Sequence, residues 1–166
     1  MQRRALLSLM ASAVALSGCG FALRKAPDFA FATLYSGLAE TSPMGVELRR
    51  SLESTRKVEV ITDSRQISRA QVVLDALADQ REKVVLSLNS AGQVREFQLR
   101  MRFRFRLRTP AGKELIADTE ILQQRDISFN ESAALAKEAE EGLLYRDMQS
   151  DIVQQIMRRL AAVKQL

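Results

Sequence analysis

From Phe97 to Leu107 every second residue is apolar: Phe97, Leu99, Met101, Phe103, Phe105 and Leu107 alternate with Gln98, Arg100, Arg102, Arg104 and Arg106, and Arg108 follows. Eleven residues of unbroken period two specify a β-strand with one dry face. Upstream, Val72, Leu74, Ala76 and Ala78 alternate with Val73, Asp75, Leu77 and Asp79, which predicts a strand running on to about Leu88. Asn89-Ser90-Ala91-Gly92 and Thr109-Pro110-Ala111-Gly112-Lys113 carry turn chemistry. Leu115, Ala117, Thr119 and Ile121 then read as the inner face of a third strand, to about Ile127. These three strands form a long antiparallel meander covered on one face.

On either side of the meander the period changes. Phe29 to Tyr35 is apolar and aromatic and predicts a first strand. Ser42-Pro43 supplies an N-cap and a favoured first helical residue, and Val46, Leu48 and Leu52 predict a short helix over 43–55. Val58 to Ile61 alternates as a short strand. Leu144, Tyr145, Met148, Ile152, Ile156, Leu160 and Val163 recur at steps of three and four, so a long helix is expected over about 130–164. Asn130 is one candidate N-cap; Ser128 with Glu131 forms a competing capping box. Such a helix spans about 50 Å and has to lie along the apolar face of the sheet. The expected fold is an α/β (α+β) two-layer sandwich. Its sheet is mixed, mostly antiparallel and four- to five-stranded, with a short and a long helix packed on one face. Residues 29–166 read as a single globular domain without internal repeats.

The first eighteen residues read differently. Arg3 and Arg4 precede an apolar run from Ala5 to Leu16, the n-region and h-region of a secretory signal. The run is shorter than the ~20 residues that a membrane-spanning helix needs. Leu16-Ser17-Gly18-Cys19 resembles the bacterial lipobox, in which the Cys thiol receives a diacylglycerol and cleavage falls just before it. Residues 1–18 are then a removed signal peptide, Cys19 is the lipidation site, and residues 19–28 are a lipidated tether. Gly20 is not the Asp that favours inner-membrane retention of such lipoproteins, so it is permissive for the outer membrane, and the periplasmic side of that membrane is the expected location. Cleavage removes Arg3 and Arg4, so the formal net charge of +5 falls by two and the product is only mildly basic.

Composition narrows the chemistry. The 166 residues contain no His, no Trp and one Cys. An intrachain disulfide, a Cys-rich metal cluster and His-dependent nucleophilic catalysis are excluded. Asp75 and Asp79 are four residues apart on one strand, about 13 Å between Cα atoms, too far for an obvious catalytic carboxylate pair. No phosphate-binding glycine loop or nucleophile elbow occurs. No enzyme activity, metal or cofactor is expected, apart from the acyl groups on Cys19.

The arginine row demands compensation, because like charges about 7 Å apart repel. Pairing Arg108 with Glu114 sets Arg104 opposite Asp118 and Arg102 opposite Glu120. Pairing Leu88 with Gln93 sets Arg106 opposite Asp75, Arg102 opposite Asp79 and Phe103 opposite Ala78. Arg100 is left with Arg81 and Leu122 as neighbours and with no acid. The simplest reading is a solvated lattice of cross-strand ion pairs. The other is an anion-binding face, since Arg forks suit phosphate. The Phe side chains point to the opposite face and cannot stack bases beside the arginines, so a nucleic-acid partner is not expected. For an exported protein of a diderm bacterium the abundant phosphorylated anion is lipopolysaccharide.

Two stretches carry a family resemblance. Cys19-Gly20-Phe21-Ala22-Leu23-Arg24 stands at the lipidation site. Ala134-Leu135-Ala136-Lys137 is followed by Glu138, Glu141, Leu144, Tyr145, Met148, Asp151 and Gln155. With the order strand, helix, strand, long meander, long helix, the chain resembles the LptE family of lipopolysaccharide (LPS)-assembly lipoproteins. The resemblance implies helices packed on a mixed sheet. It implies a lipid-anchored plug inside the LptD β-barrel of the outer membrane, which supports barrel assembly and binds LPS in transit. It also places Lys137 on a basic position where the family has a proposed LPS contact. Other members often carry a basic residue in the turn before the Gly-Gln pair. Here Asn89-Ser90-Ala91 is uncharged, so Arg95 or Arg100 is expected to supply that charge. Spacing alone reads Lys137 as a surface residue paired with Glu138 or Glu141. A reading of another class is an envelope lipoprotein accessory to an ABC-type phospholipid or solute transport system.

Overall fold

A computed structural model describes residues 27–166. Cys19, the signal peptide and most of the tether lie outside the described residues. Five strands, β1 (Thr33–Ser36), β2 (Glu59–Ile61), β3 (Val72–Leu88), β4 (Val94–Arg108) and β5 (Glu114–Ser128), form one sheet in the order β2-β1-β3-β4-β5. β1 pairs in parallel with β2 and β3, and β3, β4 and β5 form the antiparallel meander. Two helices, α1 (Pro43–Ser54) and α2 (Ala134–Ala162), pack against each other and into one shared core with the sheet. The fold is the mixed-sheet α+β sandwich that the periodicities specify.

The core follows the alternation of β4. Leu99, Met101, Phe103, Phe105 and Leu107 are fully buried, against Met148, Ile152, Ile156 and Leu160 of α2 and Met44, Leu48 and Leu52 of α1. Each such side chain contributes about 1.5–3 kcal/mol of apolar burial. Ser42 caps α1 by accepting from the Gly45 N–H at 3.3 Å, and Pro43 opens the helix. Gly92 (φ 79°) and Gly112 (φ 94°) take the left-handed positions of the two hairpin turns.

Several boundaries differ from the sequence reading. Phe29 and Phe31 precede β1 instead of belonging to it; their rings sit 5.4 Å apart and cover the core. The strand forms only where Glu59 and Val72 are available as partners. The long helix is preceded by a 3-10 turn, Glu131–Ala133, capped by Asn130, whose side chain accepts from the Ser132 N–H. Asn130, not Ser128, therefore caps this end. A second 3-10 turn, Ser64–Arg69, was not anticipated; the Asp63 side chain caps it by accepting from the Arg65 N–H.

The larger difference is register. Leu77 is an extra residue between the pairs Ala76–Phe105 and Ala78–Arg104. A one-residue bulge exchanges the faces of everything beyond it. Asp79 is therefore opposite Phe103, and Gln80 takes the place beside Arg102 that the sequence reading gave to Asp79. Arg100 is opposite Glu82 and Gln124, not Arg81 and Leu122. At the hairpin end Leu88 pairs with Val94 instead of Gln93. On β5, extra residues near Leu115 and Ala117 move Arg104 opposite Glu120 and Arg102 opposite Leu122, and leave Ala117 exposed.

The arginine lattice nevertheless forms. Arg104 bonds Asp118 and Arg102 approaches Glu120 at 3.8 Å, both now diagonally. Asp75, before the bulge, faces Arg106 as expected and accepts at 2.8 Å from the Nε of both Arg106 and Arg108. Partial burial pushes the Asp75 carboxyl up, but Arg108 and Arg106 outweigh it and hold it below its usual 3.8. A lowered carboxylate pKa stabilises the fold above the unfolded value, and that stability is lost as pH falls through the folded value. Asp75→Asn should therefore lower stability at neutral pH by about 1–3 kcal/mol, the range for hydrogen bonds to charged groups. Urea titrations should show the gap between variant and parent closing as pH drops below 3.8.

Candidate functional site

The bulge turns three charged residues of β3 toward the helices. Asp79 accepts from the Ser42 hydroxyl at 3.3 Å, tying β3 to the cap of α1. Arg81 lies over the Tyr145 ring, 5.6 Å from its centre, and donates to Gln149 Oε1 at 2.7 Å. Gln149 is buried, and its Nε2 donates to Glu47 Oε2 at 2.6 Å and to the Pro43 carbonyl at 3.2 Å. One amide thus joins β3, α1 and α2. Burial, then Glu141, pushes the Tyr145 hydroxyl above its usual 10.0. It stays protonated and donates to the Glu82 carbonyl at 2.8 Å.

Lys83, two residues beyond Arg81, reaches the first turns of α2. Its Nζ donates to Glu141 Oε2 at 2.6 Å and stands 4.3 Å from the centre of the Phe97 ring. Lys137 donates to Ser128 Oγ and to Glu140 Oε2, both at 2.9 Å. Its acid partner is thus Glu140, where spacing suggested Glu138 or Glu141. Both lysines line a cleft of about 310 Å³ walled by Phe97, Ile127, Phe129 and α2. Phe97 and Phe129 meet edge to face at 5.3 Å.

The three sequence-predicted cationic candidates separate in space. Lys137 lies in the cleft. Arg95 is exposed in an adjoining depression of about 280 Å³ that shares the Phe129 wall. Arg100 is on the outer face of the sheet, where its Nε donates to Gln98 Oε1 at 2.7 Å. Lys137 and Arg95 thus flank Phe129, and Arg100 faces away from both. Sequence reasoning missed Lys83. The signal was the loss of alternation after Ala78, where Asp79 to Lys83 are five successive polar residues.

This cleft occupies one pole. β4 runs about 40 Å from Phe97, in the cleft wall, to the turn at 109–113. There Lys113 Nζ donates to the carbonyl of Leu166 at 3.0 Å, so α2 ends at the far pole. The chain enters at that far pole too: Asp28 pairs with Lys57 at 2.8 Å and is also influenced by Lys164.

The molecule is thus a long-stranded α+β sandwich with two lysines and two aromatic rings lining a cleft at one pole. Among the described residues no group of three or more Cys, Asp or Glu side chains could hold a metal ion. The family model described as LptE, Lipopolysaccharide-assembly, matches residues 31–160, and the chain belongs to that family. Its fold is shared with the solution structure of an uncharacterized lipoprotein B from Nitrosomonas europaea. That protein is 34% identical, with 86% of this chain and 91% of that chain covered and a TM-score of 0.73. The rare lipoprotein B from Shewanella oneidensis is 24% identical over 78% of this chain and 94% of that one, with a TM-score of 0.65. A minor lipoprotein from Acinetobacter baumannii is 18% identical over 81% and 94%, with a TM-score of 0.62, and like the Shewanella protein attests the fold alone. No curated protein sequence matches the chain.

Gln149→Ala should leave Arg81 and the Pro43 carbonyl without their shared partner and Glu47 without its donor. The expected cost is about 1–3 kcal/mol, read as a lower urea midpoint with an unchanged far-ultraviolet spectrum.

Proposed function

We propose that this protein is an outer-membrane lipoprotein that plugs and supports assembly of the LptD β-barrel and binds LPS on its way to the outer leaflet. In this reading it is a non-catalytic partner: it acts by contact. The observation that carries the proposal is the family match over residues 31–160 together with Lys137, which lies inside an aromatic-walled cleft. An ammonium beside aromatic walls suits an amphiphile with a phosphorylated head.

The anchor is Cys19, and the periplasmic face of the outer membrane is its site. Nine residues separate Cys19 from Asp28, a reach of at most about 30 Å. Asp28 lies at the pole opposite the cleft, about 40 Å away along β4. An acylated Cys19 therefore holds one pole at the bilayer and leaves the cleft free to stand away from it, deep in a surrounding barrel. Several acyl chains at about 0.8 kcal/mol per buried methylene suffice for stable anchoring.

The test has two arms. Tagged protein recovered from outer membranes should bring one large barrel protein in equal amount; an accessory of an ABC transport system would bring none. Purified Lys137→Glu should retain the parent's circular dichroism and capture LPS at least about fivefold more weakly, the loss of one charge-assisted contact. Unchanged capture by that variant would overturn the ligand assignment.

A further inference from the structure

Lys137 is one of two ammonium groups in the cleft, and the second comes from β3. Lys83 bonds Glu141, which follows Lys137 by one turn of α2 on the same helix face. Lys83 is therefore anchored one helical turn along α2 from Lys137, and each ammonium is held by a carboxylate of α2. Lys137 is the more enclosed of the two, with a side-chain exposure of 22% against 37% for Lys83, which stays open to solvent.

Next to Lys83 the strand becomes apolar. Val85 lies opposite Phe97 in register, on the same face as Lys83, and is 48% exposed. Leu86 and Leu88 follow, at 47% and 56% exposure. β1 pairs with β3 only at Val72–Leu74, so this stretch has no strand on its other side. Val84 to Leu88 carries no charge. The opposite sheet edge, β5, carries Glu114, Asp118, Glu120, Arg125 and Asp126. Charges of that kind blunt an edge, and the end of β3 lacks them. The uncharged end of β3 thus begins beside Lys83 and the Phe97 ring with Val85, and ladder irregularities on both sides of Ser87 interrupt its alternation beyond that point.

We propose that Lys83 and Lys137 form a two-point clamp for a phosphate of an acylated glycolipid, with Val85 at the uncharged end of β3 supporting its acyl chains. The proposal rests on the reading that the Lys137 cleft binds LPS, and it names the second cation and the acyl surface of that site. A pair of cations next to an uncharged apolar strand end is complementary to an amphiphile whose phosphate is attached close to its acyl chains. A free phosphate satisfies only the first half. On binding, phosphate oxygens replace the carboxylates of Glu140 and Glu141 as acceptors from the two ammoniums. The carboxylates turn to water. Glu141 is in this sense a competitor for the ligand's place on Lys83.

The experiment measures binding of intact LPS and of fully deacylated LPS to the detergent-solubilised full-length protein and its variants. Lys83→Gln should weaken intact LPS about five- to tenfold, as Lys137→Gln does. Glu141→Gln should tighten it by about twofold or more, because the competing carboxylate is gone. That gain cannot arise from misfolding. Val85→Asn should weaken intact LPS and leave the deacylated form unchanged. If Lys137→Gln weakens binding while Lys83→Gln and Glu141→Gln leave it unaltered, the clamp is overturned and the LPS reading stands. If Val85→Asn weakens both forms alike or neither, the acyl surface is overturned. If the unsubstituted protein captures no LPS, that reading and the clamp fall together.

Discussion

The single residue on which this architecture turns is Leu77. By standing as an extra residue between two paired positions it rotates the remainder of β3 by half a period. Without it, Asp79, Arg81 and Lys83 would join the arginines on the open face. With it, each of them finds a partner on the helical side: the α1 cap, Gln149 and Glu141. The bulge converts a strand that would repel its neighbour into one that secures both helices.

That exchange separates two kinds of electrostatics. On the open face, Asp118 and Glu120 meet the arginine row through exposed pairs worth roughly 0.2–1 kcal/mol each, and the partly buried Asp75 holds Arg106 and Arg108. These keep the face soluble and set register; they leave little unpaired charge for a ligand. On the helical side the charges are fewer and more enclosed. Arg81, Gln149 and Glu47 form a connected chain in which losing one member strands the others. Lys83 and Lys137 each have one carboxylate partner at the cleft, Glu141 and Glu140, whose place an incoming anion can take.

Much of this was legible in the sequence. The period of β4 specified its faces without ambiguity, because eleven residues alternate with no exception, and Ser42-Pro43 fixed the start of α1. The parallel pairing of β1 with β2 and β3 was not legible, since pattern identifies strands and not their neighbours. The bulge was written in the chain only as a loss of pattern: five polar residues after Ala78, then three apolar ones. A period-two reading carried through that stretch assigns Arg81 to the wrong face and misses that Glu82 stands opposite Arg100 in the ladder. For the site, Lys137 came from the family resemblance, Arg95 proved adjacent to it, and Arg100 lies on the other face. Lys83 could not be read at all until the faces of β3 were known.

The location of Lys83 therefore tests the account most directly. Nuclear magnetic resonance of the purified protein should show the Lys83 ε-methylene protons shifted upfield by the Phe97 ring, with cross-peaks to Glu141 and Phe97. Lys83 resonances at solvent-exposed shifts, with cross-peaks to Gln98 or Arg100 instead, would place the residue on the open face and contradict the bulge, the cleft and the clamp together.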